Sequence, residues 1–186
     1  MKHALVKEHI IKTASDLFYT NGYNSTGINE IIKEAGIAKA TLYNHFKSKE
    51  DLCIAYLKYK NSNFFKDLKK FIASKEAGKN QILALFDYLD IFFNQKKFNG
   101  CWCINTISEI TKHNDKIRLE ILSQKDNLIN YMSVLVIENL DGYSKNESFD
   151  IARKIYVLYE GAIAESNMQS NVWPINSAKS ICNTII

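Results

Sequence analysis

Apolar residues recur three and four positions apart along most of the chain, which is the spacing of one helix face, and polar runs mark where it stops. Ile10, Ala14, Leu17 and Phe18 predict a first amphipathic helix over about 4–20, closed by Asn21-Gly22. Ile28, Ile31, Ile32 and Ala35 predict a second helix of about two turns, with Thr26 placed to cap it and Asn29 and Glu30 close by. Gly36 stops that helix, because a residue without Cβ takes the left-handed conformation a sharp turn needs. From Lys39 to Phe46, Leu42 and Phe46 point inward, leaving Lys39, Ala40, Thr41, Tyr43, Asn44 and His45 outward. Helix, glycine turn and short helix with exposed donors is the pattern of a helix-turn-helix. On spacing alone it is equally an ordinary pair of surface helices.

The remaining pattern is also helical. Ser48 caps a long fourth helix running to about Ala73, with Glu50 and Asp51 in its first turn at the positive end of the helix dipole. At 1.5 Å per residue it spans roughly 35–40 Å, enough to join a head to a separate body. Ile82, Leu85, Phe86, Leu89, Phe92 and Phe93 make a fifth, broken by Phe98-Asn99-Gly100. A short helix follows over Trp102 to Ile110, and then a longer one over about 115–139 carrying Ile117, Ile121, Leu128, Met132 and Leu135. Asp141-Gly142 turns the chain into a helix over about 146–170, with Ile151, Ile155, Leu158 and Ala162 on one stripe. Pro174 opens the last helix. The sum is an all-α chain of about nine helices.

Composition agrees. A single Pro, 7 Gly and 46% hydrophobic residues in 186 suit long helices and a sizeable core. No apolar run is long enough to span a membrane, and the charged N-terminus lacks a signal-peptide core, so a cytoplasmic protein without a membrane partner is expected. Four Cys without a pairing framework fit a reducing compartment. The net charge of +4 is unevenly placed: residues 1–60 hold nine Lys against six acids, a balance of +3. That puts the basic excess where phosphates would be met. No Arg precedes Arg118, so the commonest bidentate reader of guanine is missing from this half. His-Glu-x-x-His, a Gly-rich phosphate loop, a nucleophile elbow and acids at metal spacing are all lacking. An all-α enzyme is therefore the weakest rival, and no cofactor is expected.

Gly36, then Ala-Lys-Ala-Thr-Leu-Tyr-Asn-His-Phe from Ala38 to Phe46, then Lys47-Ser48-Lys49-Glu50-Asp51-Leu52, closely resembles the signature of the TetR family of transcriptional repressors. Ala14, Leu17, Phe18 and Gly22-Tyr23 are similar to that family's first helix and its exit turn. The resemblance covers roughly residues 5–60, with departures at Gly27 and Asn29. It implies a three-helix DNA-binding domain at 1–48, with its motif at about 27–46, and a ligand-binding and dimerisation domain at 49–186. By the family pattern Lys39, Ala40, Thr41 and Tyr43 face bases, while Tyr43, His45 and Lys49 hold phosphates; Thr26, Asn29 and Asn44 complete the candidate set. For Tyr43 and His45, packing between helices is the alternative role.

The resemblance further implies a homodimeric repressor, released from a near-palindromic operator by an unknown small-molecule effector. Without Arg, the operator is expected to lean toward A·T. Candidate effector residues are Phe86, Phe92, Phe93, Trp102, Cys103, Tyr131, Tyr156, Tyr159 and Glu160, against plain core for the aromatic residues and an ordinary exposed acid for Glu160. A buried Glu160 would favour a cationic or hydrogen-bond-donating ligand. Gly100-Cys101-Trp102-Cys103 admits three readings. Metal binding has only His113 nearby to complete a site, and a disulfide two residues apart is strained. The third is a redox or electrophile sensor at Cys101, near a helix N-terminus that lowers a thiol pKa, set against simple buried packing. Ile155, Ala162, Ile163, Asn167, Met168, Ile175, Ala178 and Ile181 are the expected dimer contacts in a four-helix bundle. An effector-independent DNA-binding protein with a filled body is the remaining alternative.

Overall fold

The computed structural model describes residues 2–112 and 114–186; His113, on which a metal reading of the nearby cysteines would draw, lies outside them. Among the described residues there are nine helices and no strand. They are α1 (Lys2–Asn21), α2 (Ile28–Glu34), α3 (Lys39–His45), α4 (Lys49–Ala73), α5 (Lys79–Phe93), α6 (Trp102–Glu109), α7 (Asp115–Asn139), α8 (Lys145–Gln169) and α9 (Trp173–Ile185). The chain forms two compact units. One holds the residues up to Asn63 together with Trp102–Leu122, and the other holds Phe64–Cys101 and Ser123–Ile186. Helices α4 and α7 each contribute to both.

In the first unit, Ile10, Ala14 and Phe18 line one face of α1 and are buried with Ile31 of α2, Leu42 of α3, and Leu52 and Tyr56 of α4. The Phe18 ring lies 5.5 Å from Tyr23 and 5.6 Å from Tyr56. Helices α2 and α3 have seven residues each and depend on this packing, because isolated helices so short do not persist in water. Ser48 caps α4 as its sequence predicts, its Oγ accepting the Asp51 N–H at 3.0 Å. Gly36 ends α2 at φ +62°, the left-handed conformation expected of it.

Thr26 departs from expectation. The α2 N-cap is Gly27, whose N–H donates to the Glu30 carboxylate at 3.3 Å. Thr26 is fully buried one residue earlier, and its hydroxyl donates to Gly22 O at 2.8 Å and Leu17 O at 3.3 Å. The hydroxyl thus ties the last turn of α1, through Leu17, to the Gly22 turn that follows it, and does not cap α2.

In the second unit, α9 packs on α5 and α8. Leu85, Phe86 and Leu89 of α5 are buried, as are Ile155, Tyr159, Ala162 and Ile163 of α8, and Ile175, Ala178 and Cys182 of α9. Helix α8 opens on a reciprocal capping box: the Ser144 Oγ accepts the Glu147 N–H at 3.3 Å, and the Glu147 carboxylate accepts the Ser144 N–H at 2.9 Å.

Candidate nucleic-acid interface and body sites

Helix α3 is held by its one inward side chain, Leu42, and by the buried Phe46 that follows it. This leaves Lys39, Ala40, Tyr43 and Asn44 exposed on the other side, with Thr41 and His45 half-buried. Asn29 is exposed on α2. The buried, bonded Thr26 presents nothing outward, which corrects its place among the DNA-facing candidates. The His45 ring packs 4.0 Å from His3, and its Nδ1 is buried without a hydrogen-bond partner among the described residues. Burial, with the His3 and Lys7 charges adding, holds His45 below the ordinary imidazole value. Beside α3, an open groove of about 760 Å³ has Lys7, Lys47, Lys58 and Asp51 in its lining, together with Phe46 and Tyr59.

Lys49 points partly inward. Its Nζ lies 4.5 Å from the Tyr23 ring centroid and donates to Asn24 O at 3.5 Å. Desolvation lowers its pKa, partly offset by Cys53 and Glu109.

The same α1–α2 turn is gripped by a residue that sequence reading missed. The Glu109 carboxylate, at the end of α6, accepts the Asn24 N–H at 2.7 Å, and its backbone carbonyl accepts the Asn24 side-chain amide at 2.6 Å. Gly22, at φ +92°, leaves the space: a Cβ there would lie 2.7 Å from Glu109 Oε1. Partners 85 positions apart carry no local signal for this contact.

The effector candidates divide between the units. Trp102 and Cys103 are buried in the first, whereas Phe86, Phe92, Phe93, Tyr131, Tyr156, Tyr159 and Glu160 belong to the second. There rings contact one another: Phe86 with Tyr159 at 5.9 Å, Phe92 and Phe93 with Phe98 at 5.4 and 5.1 Å, and Tyr131 with Phe65 at 5.8 Å. Glu160 is not an unmatched acid awaiting a cation. Lys125 Nζ donates to Glu160 Oε1 at 2.6 Å and to the Cys101 Sγ at 3.2 Å. Burial raises the Glu160 pKa, Cys101 adds to the rise, and the Lys125 ammonium opposes it. Lys125 was legible as an anomaly, since Gln124 and Lys125 stand where the apolar stripe of α7 steps from Ile121 to Leu128.

The expected dimer contacts also need correction. Ile155, Ala162, Ile163, Ile175 and Ala178 are buried within the protomer, and Asn167 packs on Gly100. The apolar stripes of α8 and α9 serve their own core first. The outward face of α8 instead carries Val157 and Met168, 69% and 72% exposed, with exposed Gly161 and Ala164 between them. On α9, Trp173 and Ile181 are exposed with Ser177 and Thr184. Met168 and Ile181 alone of the expected set lie on this outward face.

Residues 10–56 match the family model for bacterial regulatory proteins of the tetR family. The chain is 24% identical over 181 residues to the HTH-type transcriptional repressor DhaR of Mycobacterium sp. (strain GP1), covering 95% of this chain and 89% of that protein. Its fold is that of a TetR transcriptional regulator from Chloroflexus aurantiacus (TM-score 0.84, 23% identity, 98% and 94% of the two chains). It is also that of Escherichia coli NemR in its reduced form (TM-score 0.82, 21% identity, 96% and 95% covered).

The turn contact is open to a double-mutant cycle. Glu109→Ala is expected to cost about 1–2 kcal/mol in urea unfolding, through the lost charged acceptor. Gly22→Ala is expected to be destabilising by itself, from its positive φ and from the carboxylate. Together they should cost less than the sum of the single changes by about 0.5 kcal/mol or more, because removing the carboxylate frees the space. Strict additivity would contradict the contact.

Proposed function

Since the chain belongs to the TetR family of bacterial regulators, we propose that it is a homodimeric transcriptional repressor, released from a near-palindromic operator by a small-molecule effector. The observation that carries this reading is α3: a short helix with Leu42 inward and Lys39, Ala40, Tyr43 and Asn44 outward, directly after the Gly36 turn. A helix entering the major groove needs compact, hydrogen-bonding side chains on its outer face, and this one has them. In this reading residues 1–48 bind DNA and 49–186 bind effector and pair subunits. Lys39, Ala40, Thr41 and Tyr43 read base edges, and Tyr43, His45 and Lys49 contact phosphates, which position the head without specifying sequence. Asn29 and Asn44 flank this set. A head without Arg reads thymine methyls, adenine edges and shape, so the operator leans toward A·T, with Lys39 as a point donor only.

The partner subunit docks on the outward faces of α8 and α9. Gly161 and Ala164, between Val157 and Met168, let a second helix approach closely, as a four-helix bundle requires. Release follows if effector binds the form that does not hold DNA more tightly, which shifts the population away from the operator.

A second reading is favoured by one observation, the Lys125 ammonium 3.2 Å from the Cys101 Sγ. A cation at that distance stabilises a thiolate and makes a sensing role at Cys101 concrete, although the thiol is buried.

The test is an electrophoretic shift on the DNA upstream of the chain's own gene. Wild type is expected to bind, and folded Tyr43→Ala to bind at least about tenfold more weakly, the loss of roughly one good contact. Equal binding by the variant would overturn the role of α3. Repeating the shift after iodoacetamide treatment decides the second reading: slow alkylation of Cys101 with DNA binding unchanged rejects it, and fast alkylation with loss of binding supports it.

The interface is tested by sedimentation. Ala164→Glu is expected to turn the dimer into a folded monomer, because it places a charge in the centre of the outward face. A dimer that survives the change would place the interface elsewhere.

A further inference from the structure

The second unit contains a polar cluster that its packing does not explain. Lys125 and Glu160 pair at 2.6 Å with both side chains only 16% exposed, and the Cys101 thiol accepts from the same ammonium at 3.2 Å. Next to Glu160 in α8, Tyr159 is 2% exposed, with its ring 5.9 Å from Phe86. Its hydroxyl is buried and has no hydrogen-bond partner among the described residues. Buried hydroxyls normally find an acceptor, and one left without it weakens the fold that holds it. Burial, with Glu160 adding and Lys125 opposing, keeps the phenol well above its ordinary range, so the oxygen carries its proton and is available as a donor.

These facts constrain what can bind. A donor without an acceptor calls for a ligand oxygen. The lysine and glutamate already balance one another, so a ligand bearing a full charge would bring an unmatched charge into a largely apolar interior. The aromatic ring of Phe86 beside Tyr159 suits an apolar or aromatic body.

We propose that Tyr159, beside the Lys125–Glu160 pair, forms the polar end of the effector site, and that the site takes an uncharged, apolar-bodied ligand whose carbonyl oxygen accepts from the Tyr159 hydroxyl. This rests on the effector-released reading above and names the chemical class of the effector. It replaces the cationic ligand that an unpaired Glu160 would have suggested.

The experiment uses the full chain and four naphthalene probes of similar shape: 1-acetonaphthone, 1-ethylnaphthalene, 1-naphthoate and 1-naphthylmethylamine. Binding is read by calorimetry and by the shift in melting temperature. The ketone is expected to bind at least about tenfold more tightly than the ethyl compound, and more tightly than either charged probe. Tyr159→Phe should reduce ketone affinity to the level of the ethyl compound without lowering the melting temperature of the unliganded protein. Cys101→Ser should retain the ketone preference. Equal binding of ketone and hydrocarbon, a preference for a charged probe, no binding of any probe, a preference that survives Tyr159→Phe, or one lost in Cys101→Ser would each overturn the proposal. Operator release is measured separately by fluorescence anisotropy. Ketone binding at Tyr159 without release would overturn the effector reading while leaving the oxygen site standing.

Discussion

Helices α2 and α3 are seven residues each, and what the head can present depends on the packing that holds helices of that length in place. Ile31 and Leu42 are anchors, each fully buried, with α2 packed on α1 and α3 on α2. With Leu42 inward, the period of the helix sets the direction of every other side chain on α3, so Tyr43 and Asn44 face out as a geometric consequence. Thr26 and Glu109 hold the turn that leads into the pair, one from inside the head and the other from the end of α6. The DNA-facing chemistry thus rests on contacts made by residues that would not themselves touch DNA.

Much of this was legible from local pattern. The 3.6-residue period, the Gly36 turn and the Ser48 cap are each decided within a few residues, and they stand where the sequence places them. Tertiary competition hid the rest. Thr26 looks like a cap, but the Gly22 and Leu17 carbonyls take its hydroxyl proton. The apolar stripe of α8 looks like an interface, but α5 and α9 cover it within one protomer. What remains for a partner is the opposite face, where small residues between Val157 and Met168 give only a weak hydrophobic signal. Glu160 looks like an unmatched acid because Lys125 is 35 positions away.

The body follows a similar logic with a different outcome. Its aromatic residues mostly satisfy one another in ring-to-ring contacts, as core residues do. The Lys125–Glu160 pair and the Tyr159 hydroxyl, with the buried Ser148 and Ser166 hydroxyls, are polar groups kept in an interior that hydrophobic residues would pack at less cost. The proposed effector site draws on one turn of α8 and the α7 side chain paired with it.

Hydroxyl-radical footprinting on the DNA upstream of the chain's own gene tests the central claim most directly. A dimer reading through two α3 helices predicts two protected patches on one face of the duplex, related by a twofold axis, with centres about 34–36 Å apart. Uniform protection without that symmetry, or no protection at all, would contradict the account.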